Sequence, residues 1–304
     1  MELNFSTQFE SALKNEEFRV FYQPKVSLHN YRIVGAEALC RWFHNGVVIP
    51  PDSFIPVLEQ GDDICRLDFY MLDHACRDIR HWLDEGRKCV KVSVNLSRKH
   101  KVDKKLIYDI VEIIDGHRVP HDLIEIELVE STSEMTFPQL KEIVLGLKKY
   151  GIGTSVDDFG TGYSSLNLIR DLPWEVLKID KRFLPVNTKD KKQLIMMKHL
   201  IAMAQDLGLD CIAEGVETIE QVKLLKEYNC YMAQGNFFDK PLPAKEFETK
   251  LFLGKKPALV PFEDELLAPE ARELLRQERK LEQERIKKLK SSQEQNLLRA
   301  AELF

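Results

Sequence analysis
Between about residue 18 and residue 252, short apolar runs rich in β-branched residues alternate with longer amphipathic stretches, and no other feature constrains the fold as strongly. The strand-like runs are FRVFYQPKV (18–26), RIVGAEALCRW (32–42), VKVSVNL (90–96), LIEIELV (123–129), GTSVDDF (153–159), EVLKID (175–180), LDCIAEG (209–215) and CYMAQGNFF (230–238). Helical periods lie between most of them. Over 65–86, Leu67, Met71, Leu72, Ala75, Ile79 and Leu83 share one face, and further periods run near 104–115, 136–150, 190–207 and 217–228. Eight strands with interleaved helices predict an α/β fold closed into a (β/α) barrel. The first two runs are joined only by SLHNY (27–31), which permits a hairpin but not a helical crossover. This pair is therefore predicted antiparallel and the barrel irregular.

A barrel needs a large core, and 44% apolar residues in a chain of 304 supply one. Lys and Arg number 44 against 49 Asp and Glu, a net charge of −5, which argues against a DNA or RNA polymer as partner. A small anionic ligand stays open if a metal supplies positive charge locally. Six cysteines with no CxxC pair read as reduced, mostly buried thiols in a cytoplasmic protein. No apolar run approaches the roughly 18 residues a membrane span needs, and the acidic N-terminal stretch is unlike a signal peptide. After Pro257 the pattern changes. From Glu270 to Phe304 there is no Gly or Pro and 16 of 35 residues are charged. The division predicted is a barrel over 1–256 and a charged helical extension over 257–304. The extension reads as a solvated helix, with a partner-binding helix or a linker over 270–304 as alternatives.

Function in a parallel barrel gathers at the C-terminal ends of the strands. Those ends carry Glu37, Asn95, Glu127, Asp157 with Asp158, Lys178, Glu214 and Gln234. Singly, each has an ordinary explanation as a solvated loop or capping residue. Together they place ionisable or amide groups at one face. Five carboxylates (Glu37, Glu127, Asp157, Asp158, Glu214) and one ammonium sum to −4, a cluster that either raises its own pKa values or binds cations. Two divalent ions would neutralise it. The donors are oxygens, none of the eight histidines is among them, and hard oxygen donors select Mg2+ or Mn2+ over Zn2+. Paired divalent metals are a common device for phosphodiester cleavage. The loop DDFGTGYSSL (157–166) follows two of the acids directly. DFG also occurs in protein kinases, but the other kinase motifs are missing, as are a Walker A sequence and a GxSxG elbow.

These residues fall in an ordered series of motifs: QP (Gln23, Pro24), EALCR (Glu37 to Arg41), NLS (Asn95 to Ser97), ELVES (Glu127 to Ser131), DDFGTGYSSL, KID (Lys178 to Asp180), AEGVE (Ala213 to Glu217) and QG (Gln234, Gly235). Over roughly residues 5–252 the chain resembles the EAL domain family, the cyclic-di-GMP-specific phosphodiesterases. The resemblance implies a TIM-like (β/α)8 barrel with one antiparallel strand, and hydrolysis of cyclic-di-GMP to linear pGpG with two Mg2+ or Mn2+ ions. It implies that Glu37, Asn95, Glu127 and Asp157 hold one metal and Asp158 the second. Glu214 stands at the attacking water as base or metal ligand, and Lys178 orients that water. Gln234 belongs to the metal, water or substrate shell, and Glu217 supports it. Glu130 braces the DDFGTGYSSL loop, Arg41 pairs with a substrate phosphate, and Gln23 and Leu39 line the substrate site. A homodimer through helices near that loop is also implied. Two other readings remain: a receptor that binds cyclic-di-GMP without cleaving it and signals through a partner, and a metal-dependent barrel enzyme for another phosphorylated substrate.

Overall fold
The structure, a computed structural model, describes residues 5–129, 136–159, 166–185 and 190–252, with the side chains of 5–7, 129 and 158 left out. The segments 130–135, 160–165, 186–189 and 253–304 lie outside the described residues. So do the predicted C-terminal helix, Glu130 and most of the DDFGTGYSSL loop.

Among the described residues ten strands form one sheet: β1 (Phe18–Ser27), β2 (Ile33–His44), β3 (Val47–Ile49), β4 (Lys91–Leu96), β5 (Ile124–Val129), β6 (Gly153–Phe159), β7 (Val176–Ile179), β8 (Asp210–Ala213), β9 (Met232–Ala233) and β10 (Leu242–Pro243). Eight of them, β1, β2 and β4 to β9, close a barrel. From β2 round to β9 every neighbour is parallel. β1 alone runs against both its neighbours, β2 and β9. The short connection after β1 forces this: Tyr31 takes a left-handed conformation (φ 55°) to turn the chain back on itself. All eight predicted strands are present. The sequence reading missed β3 and β10, pairings of three and two residues that extend the β2 and β1 edges.

The helices are α1 (Phe5–Lys14), α2 (Pro51–Leu58), α3 (Asp63–Asp84), α4 (Lys104–Gly116), α5 (Phe137–Lys149), α6 (Leu166–Asp171), α7 (Lys191–Asp206), α8 (Ile219–Glu227) and α9 (Ala244–Phe252). In α3 the apolar stripe is buried as its spacing predicts, except that Trp82 rather than Leu83 goes inside. Period-two alternation then sorts the strands. Val92, Val94 and Leu96 of β4 and Ile124, Ile126 and Leu128 of β5 are buried. The alternate residues Ser93, Asn95, Glu125 and Glu127 face the barrel interior. A barrel interior is usually filled with branched apolar side chains, but this one is polar at its centre.

The outer face of the β1–β2 ribbon is sealed by aromatic packing. Phe18 stacks near Trp42 and Phe54 with ring centroids 5.0 and 5.8 Å away, and Phe9 of α1 adds a contact at 5.6 Å. Trp42 Nε1 donates to Glu17 Oε2 at 2.9 Å, so the buried indole leaves no donor unpaired.

After β9 the chain passes so close to the segment after β8 that only glycine fits at 235. A Cβ there would lie 2.2 Å from both the N and the O of Val216. Those same atoms bond to Gln234 O and Phe237 N–H, so the backbone cannot simply move away. Gly235→Ala is expected to cost about 3 kcal/mol or more, an overpacking penalty, and to lower the melting temperature by roughly 10 °C in a thermal unfolding scan.

Candidate active site
Lys178 is the third residue of β7, fully buried, and its neighbours are carboxylates from β2, β5 and β6 and from the residue just after β8. Nζ lies 2.5 Å from Glu127 Oε2, 2.9 Å from Glu214 Oε1, 3.0 Å from Asp157 Oδ1 and 3.6 Å from Glu37 Oε2. Burial by itself would lower the lysine's pKa. The surrounding carboxylates, Glu127 foremost, outweigh it and hold the ammonium well above its ordinary value.

Glu127 sits between two lysines. Its Oε1 is 3.0 Å from Lys25 Nζ, which also binds Glu125 Oε1 at 3.0 Å. Burial pushes the Glu127 carboxyl up, but the ammonium groups of Lys178 and Lys25 hold it down at about 2. Glu37 is shifted the other way, raised by burial and by the charge of Glu127. Glu214 is raised well above the usual range by burial, with Asp157, Glu37 and Glu127 adding to the effect against Lys178. Glu37, Glu125, Glu127, Asp157 and Glu214 against Lys25 and Lys178 leave a formal charge of −3.

Amides complete the cluster. Asn95 Nδ2 donates to Glu37 Oε1 at 3.1 Å, and Gln234 Nε2 donates to Glu37 Oε2 at 2.5 Å and to Gln23 Oε1 at 3.1 Å. Gln234 Oε1 is buried with no hydrogen-bond partner among the described residues. An orphaned buried carbonyl oxygen costs about 1–3 kcal/mol, and it stands beside carboxylates carrying net negative charge. An all-oxygen donor set with an unsatisfied acceptor fits a hard divalent cation.

The structure thus brings Gln23, Glu37, Asn95, Glu127, Asp157, Lys178, Glu214 and Gln234 together. One placement needs correction. Glu37 is not at a strand end but is the fifth of twelve residues in β2, opposite Gln23 and Ser93. β2 runs on past the barrel rim into the β3 hairpin, so the end of the strand and the mouth of the barrel are different places. Leu39 and Arg41 follow on the same face of β2, half-buried, and Arg41 Nη1 donates to the Cys40 carbonyl at 2.7 Å. The Glu217 carboxylate is exposed, and among the described residues no hydrogen bond or ion pair joins it to the cluster. Its backbone N–H instead donates to Gln221 Oε1 at 2.8 Å in the start of α8. The Asp158 side chain and Glu130 lie outside the described residues. All six cysteines are free.

Sequence reasoning missed Lys25 and Glu125. The period-two rule would have found both: Lys25 is two residues after Gln23 and Glu125 two before Glu127, on the same inward faces. Lys25→Met strands Glu125 in the barrel and leaves Glu127 with Lys178 alone, and breaking a buried pair in this way costs about 3–5 kcal/mol. Denaturant titration is expected to show that loss, with more than half of it recovered in Lys25→Met/Glu125→Gln, where the stranded charge is gone.

A second acidic group, His81, Glu85 and Glu248, also brings its ligand atoms within 4.8 Å of one another. It is at the surface, and Arg87 Nη2, 2.8 Å from Glu85 and 3.7 Å from Glu248, supplies its counter-charge. It has no orphaned group that calls for an ion.

Fold and cluster together define a TIM-like barrel with an acidic, oxygen-donor mouth. The EAL domain model matches residues 6–241. The signaling protein YkoW of Bacillus subtilis is 37% identical over 250 residues, which are 82% of this chain and 31% of YkoW. The cyclic di-GMP phosphodiesterase NbdA of Pseudomonas aeruginosa is 33% identical over 248 residues, 81% of this chain and 32% of NbdA. Among solved structures, the PaMucR phosphodiesterase in its c-di-GMP complex superposes with a TM-score of 0.75 at 33% identity, covering 81% of this chain and all of that one. The chain belongs to the EAL domain family. It spans about a third of the length of these curated relatives. Among the described residues no helix is long and apolar enough to cross a membrane.

Proposed function
We propose that this chain hydrolyses cyclic-di-GMP to linear pGpG at the Lys178-centred cluster. The observation that carries the reading is the convergence of Glu37, Asn95, Glu127, Asp157, Glu214 and Gln234 about one buried ammonium, with the Gln234 carbonyl oxygen unpartnered. Glu37, Asn95, Glu127 and Asp157 would hold one divalent ion, Mg2+ or Mn2+, and Asp158 a second. Bound there, the ions supply Lewis-acid stabilisation of phosphate charge and acidify water.

The chain's own groups do the rest. Lys178, held ionised by its neighbours, donates a hydrogen bond to the attacking water and fixes its position. Glu214, whose carboxyl is raised by burial, is suited to accept the water proton and return it to the departing 3′ oxygen. The P–O3′ bond breaks as the new P–O bond forms, which leaves a 5′-phosphate on a linear dinucleotide. The Arg41 guanidinium pairs with the phosphate that is not being cleaved. Gln23 and Leu39 line the wall between them.

Product chromatography after incubation with cyclic-di-GMP and Mg2+, then Mn2+, tests this, with Glu37→Ala alongside. Linear pGpG from the wild type alone is the expected result. Bound nucleotide without product would replace the enzyme with a receptor, and indifference to the nucleotide would point to another phosphorylated substrate. Exposed Phe137 and Leu145 on α5 and Leu166 on α6 support a homodimer through that side of the barrel. Light scattering at twice the mass of one chain is the matching outcome.

A further inference from the structure
Two of the six cysteines stand side by side. β8 and β9 run parallel with Ile212 beside Met232, which puts Cys211 one residue and Cys230 two residues back from that pair, towards the end of the barrel opposite the carboxylate cluster. Cys230 Sγ lies 3.6 Å from the Cys211 carbonyl oxygen and 3.5 Å from that of Met232. The Cys211 thiol donates a hydrogen bond to the Cys230 sulfur. The chain between them, 19 residues on, passes through Glu214 and α8. Both side chains are buried and both thiols are free.

This pair differs from the other thiols. Burial pushes Cys40, Cys65, Cys76 and Cys89 up, and among the described residues no hydrogen bond joins any two of those four. Cys211 is also raised well above its ordinary value, because its proton is held in the bond to Cys230 and burial adds to that. Cys230 alone is lowered, since the Cys211 hydrogen bond outweighs burial. A sulfur with thiolate character touching a second, protonated thiol supplies the nucleophile and the resolving partner that disulfide formation needs. Phosphodiester hydrolysis uses neither group.

We infer that Cys211 and Cys230 form a modification site, an adjacent dithiol that a small peroxide converts to an intramolecular disulfide strapping β8 to β9. In the first step the Cys230 sulfur attacks one peroxide oxygen, the O–O bond breaks, and the other oxygen leaves as water with the Cys230 proton. In the second, the Cys211 sulfur attacks the sulfenic sulfur of Cys230, and the hydroxyl leaves as a second water with the Cys211 proton. The two thiols give up two electrons, and the peroxide is reduced to two waters. Cys230 is 1% exposed, which favours an oxidant of hydrogen peroxide's size over a peptide disulfide. The strap matters for the site because Glu214 directly follows β8 and Gln234 directly follows β9, with Gln234 N–H donating to Ala213 O at 2.8 Å. Closing the loop through α8 stabilises the pairing of the two strands that carry them. The inference is independent of which substrate the cluster takes.

The test treats the reduced, metal-free full chain with hydrogen peroxide, alkylates it in denaturant, and maps the peptides by mass spectrometry. The wild type is expected to lose two of its six alkylatable thiols and to yield one cross-linked peptide pair containing Cys211 and Cys230, both changes reversed by dithiothreitol. Oxidised wild type is expected to melt about 5 °C above the reduced form. Cys211→Ala lacks the resolving thiol, so dimedone should trap a sulfenic acid at Cys230, and Cys230→Ala should give no cross-link. The wild-type map decides the question even where a variant folds poorly. Cys211 and Cys230 that stay alkylatable while the half-buried Cys65 and Cys89 are oxidised would overturn the inference, as would a cross-link to a different cysteine. A Cys211–Cys230 bond that lowers the melting temperature would overturn the strap.

Discussion

If the proposed reading holds, Glu37→Ala is expected to lose cyclic-di-GMP turnover by at least about a thousandfold, because the Lewis-acid contribution that Glu37 would anchor is worth several kcal/mol. Glu37 is the junction of the cluster. It accepts from Asn95 through one oxygen and from Gln234 through the other, and it faces Lys178. Alanine removes a hard donor and at the same time releases the Asn95 amide and leaves Gln234 with Gln23 as its remaining acceptor. The fold should survive, since the missing side chain lines the open end of the barrel and its burial raises its own pKa rather than anchoring a tight pair. Chromatographic quantification of pGpG, with Mn2+ content measured on the same samples, checks both halves. Full activity with unchanged metal content sinks the assignment of Glu37 as a ligand.

Lys178→Met is expected to show the opposite balance, a loss of stability that metal reverses. Removing the ammonium leaves Glu37, Glu127, Asp157 and Glu214 facing one another in the interior. An uncompensated buried cluster costs about 3–5 kcal/mol, which corresponds to a fall of roughly 10 °C in melting temperature for a domain of this size. A divalent cation binding the same oxygens supplies the missing charge, so millimolar Mn2+ should raise the variant's melting temperature more than the wild type's. Activity should stay low, because under the proposed mechanism the attacking water would lose its positioning donor. Differential scanning calorimetry with EDTA and with Mn2+ reads the stability half directly. Equal Mn2+ stabilisation of the two proteins would mean that the carboxylates around Lys178 are not where the metal binds.

Much of this site was legible because function in a parallel barrel gathers at the C-terminal ends of the strands. Once β4 to β7 are recognised, Asn95, Glu127, Asp157 and Lys178 stand at or near those ends. The one position misread, Glu37, shows the limit of that rule. A strand end marks the barrel mouth only where the strand stops at the rim, and β2 does not. Four helices, α1, α2, α6 and α9, were not among the predicted periods, and two of them have a clear local cause. α2 begins with Pro51 and contains Pro56, which reads as a loop although proline is well tolerated in the first turn. α6 has six residues, too few for a helical period to show.

The sequence by itself determined the order of the elements, the antiparallel first pair and the oxygen-only character of the site. These follow from loop length, from periodicity and from residue chemistry, all of which are local. Only the tertiary structure decided that Lys25 meets Glu127, 102 residues away, and that Gln234 closes on Glu37 across 197 residues. Barrel closure sets the first strand beside the last, and no local pattern encodes that adjacency. The charge states followed from the same step. Glu127 and Glu214 are both glutamates near strand ends, yet one is held at about 2 and the other is driven up. Two buried ammonium groups reach the first and one reaches the second, and in a low-dielectric interior that difference in counter-charge outweighs the intrinsic acidity of the side chain.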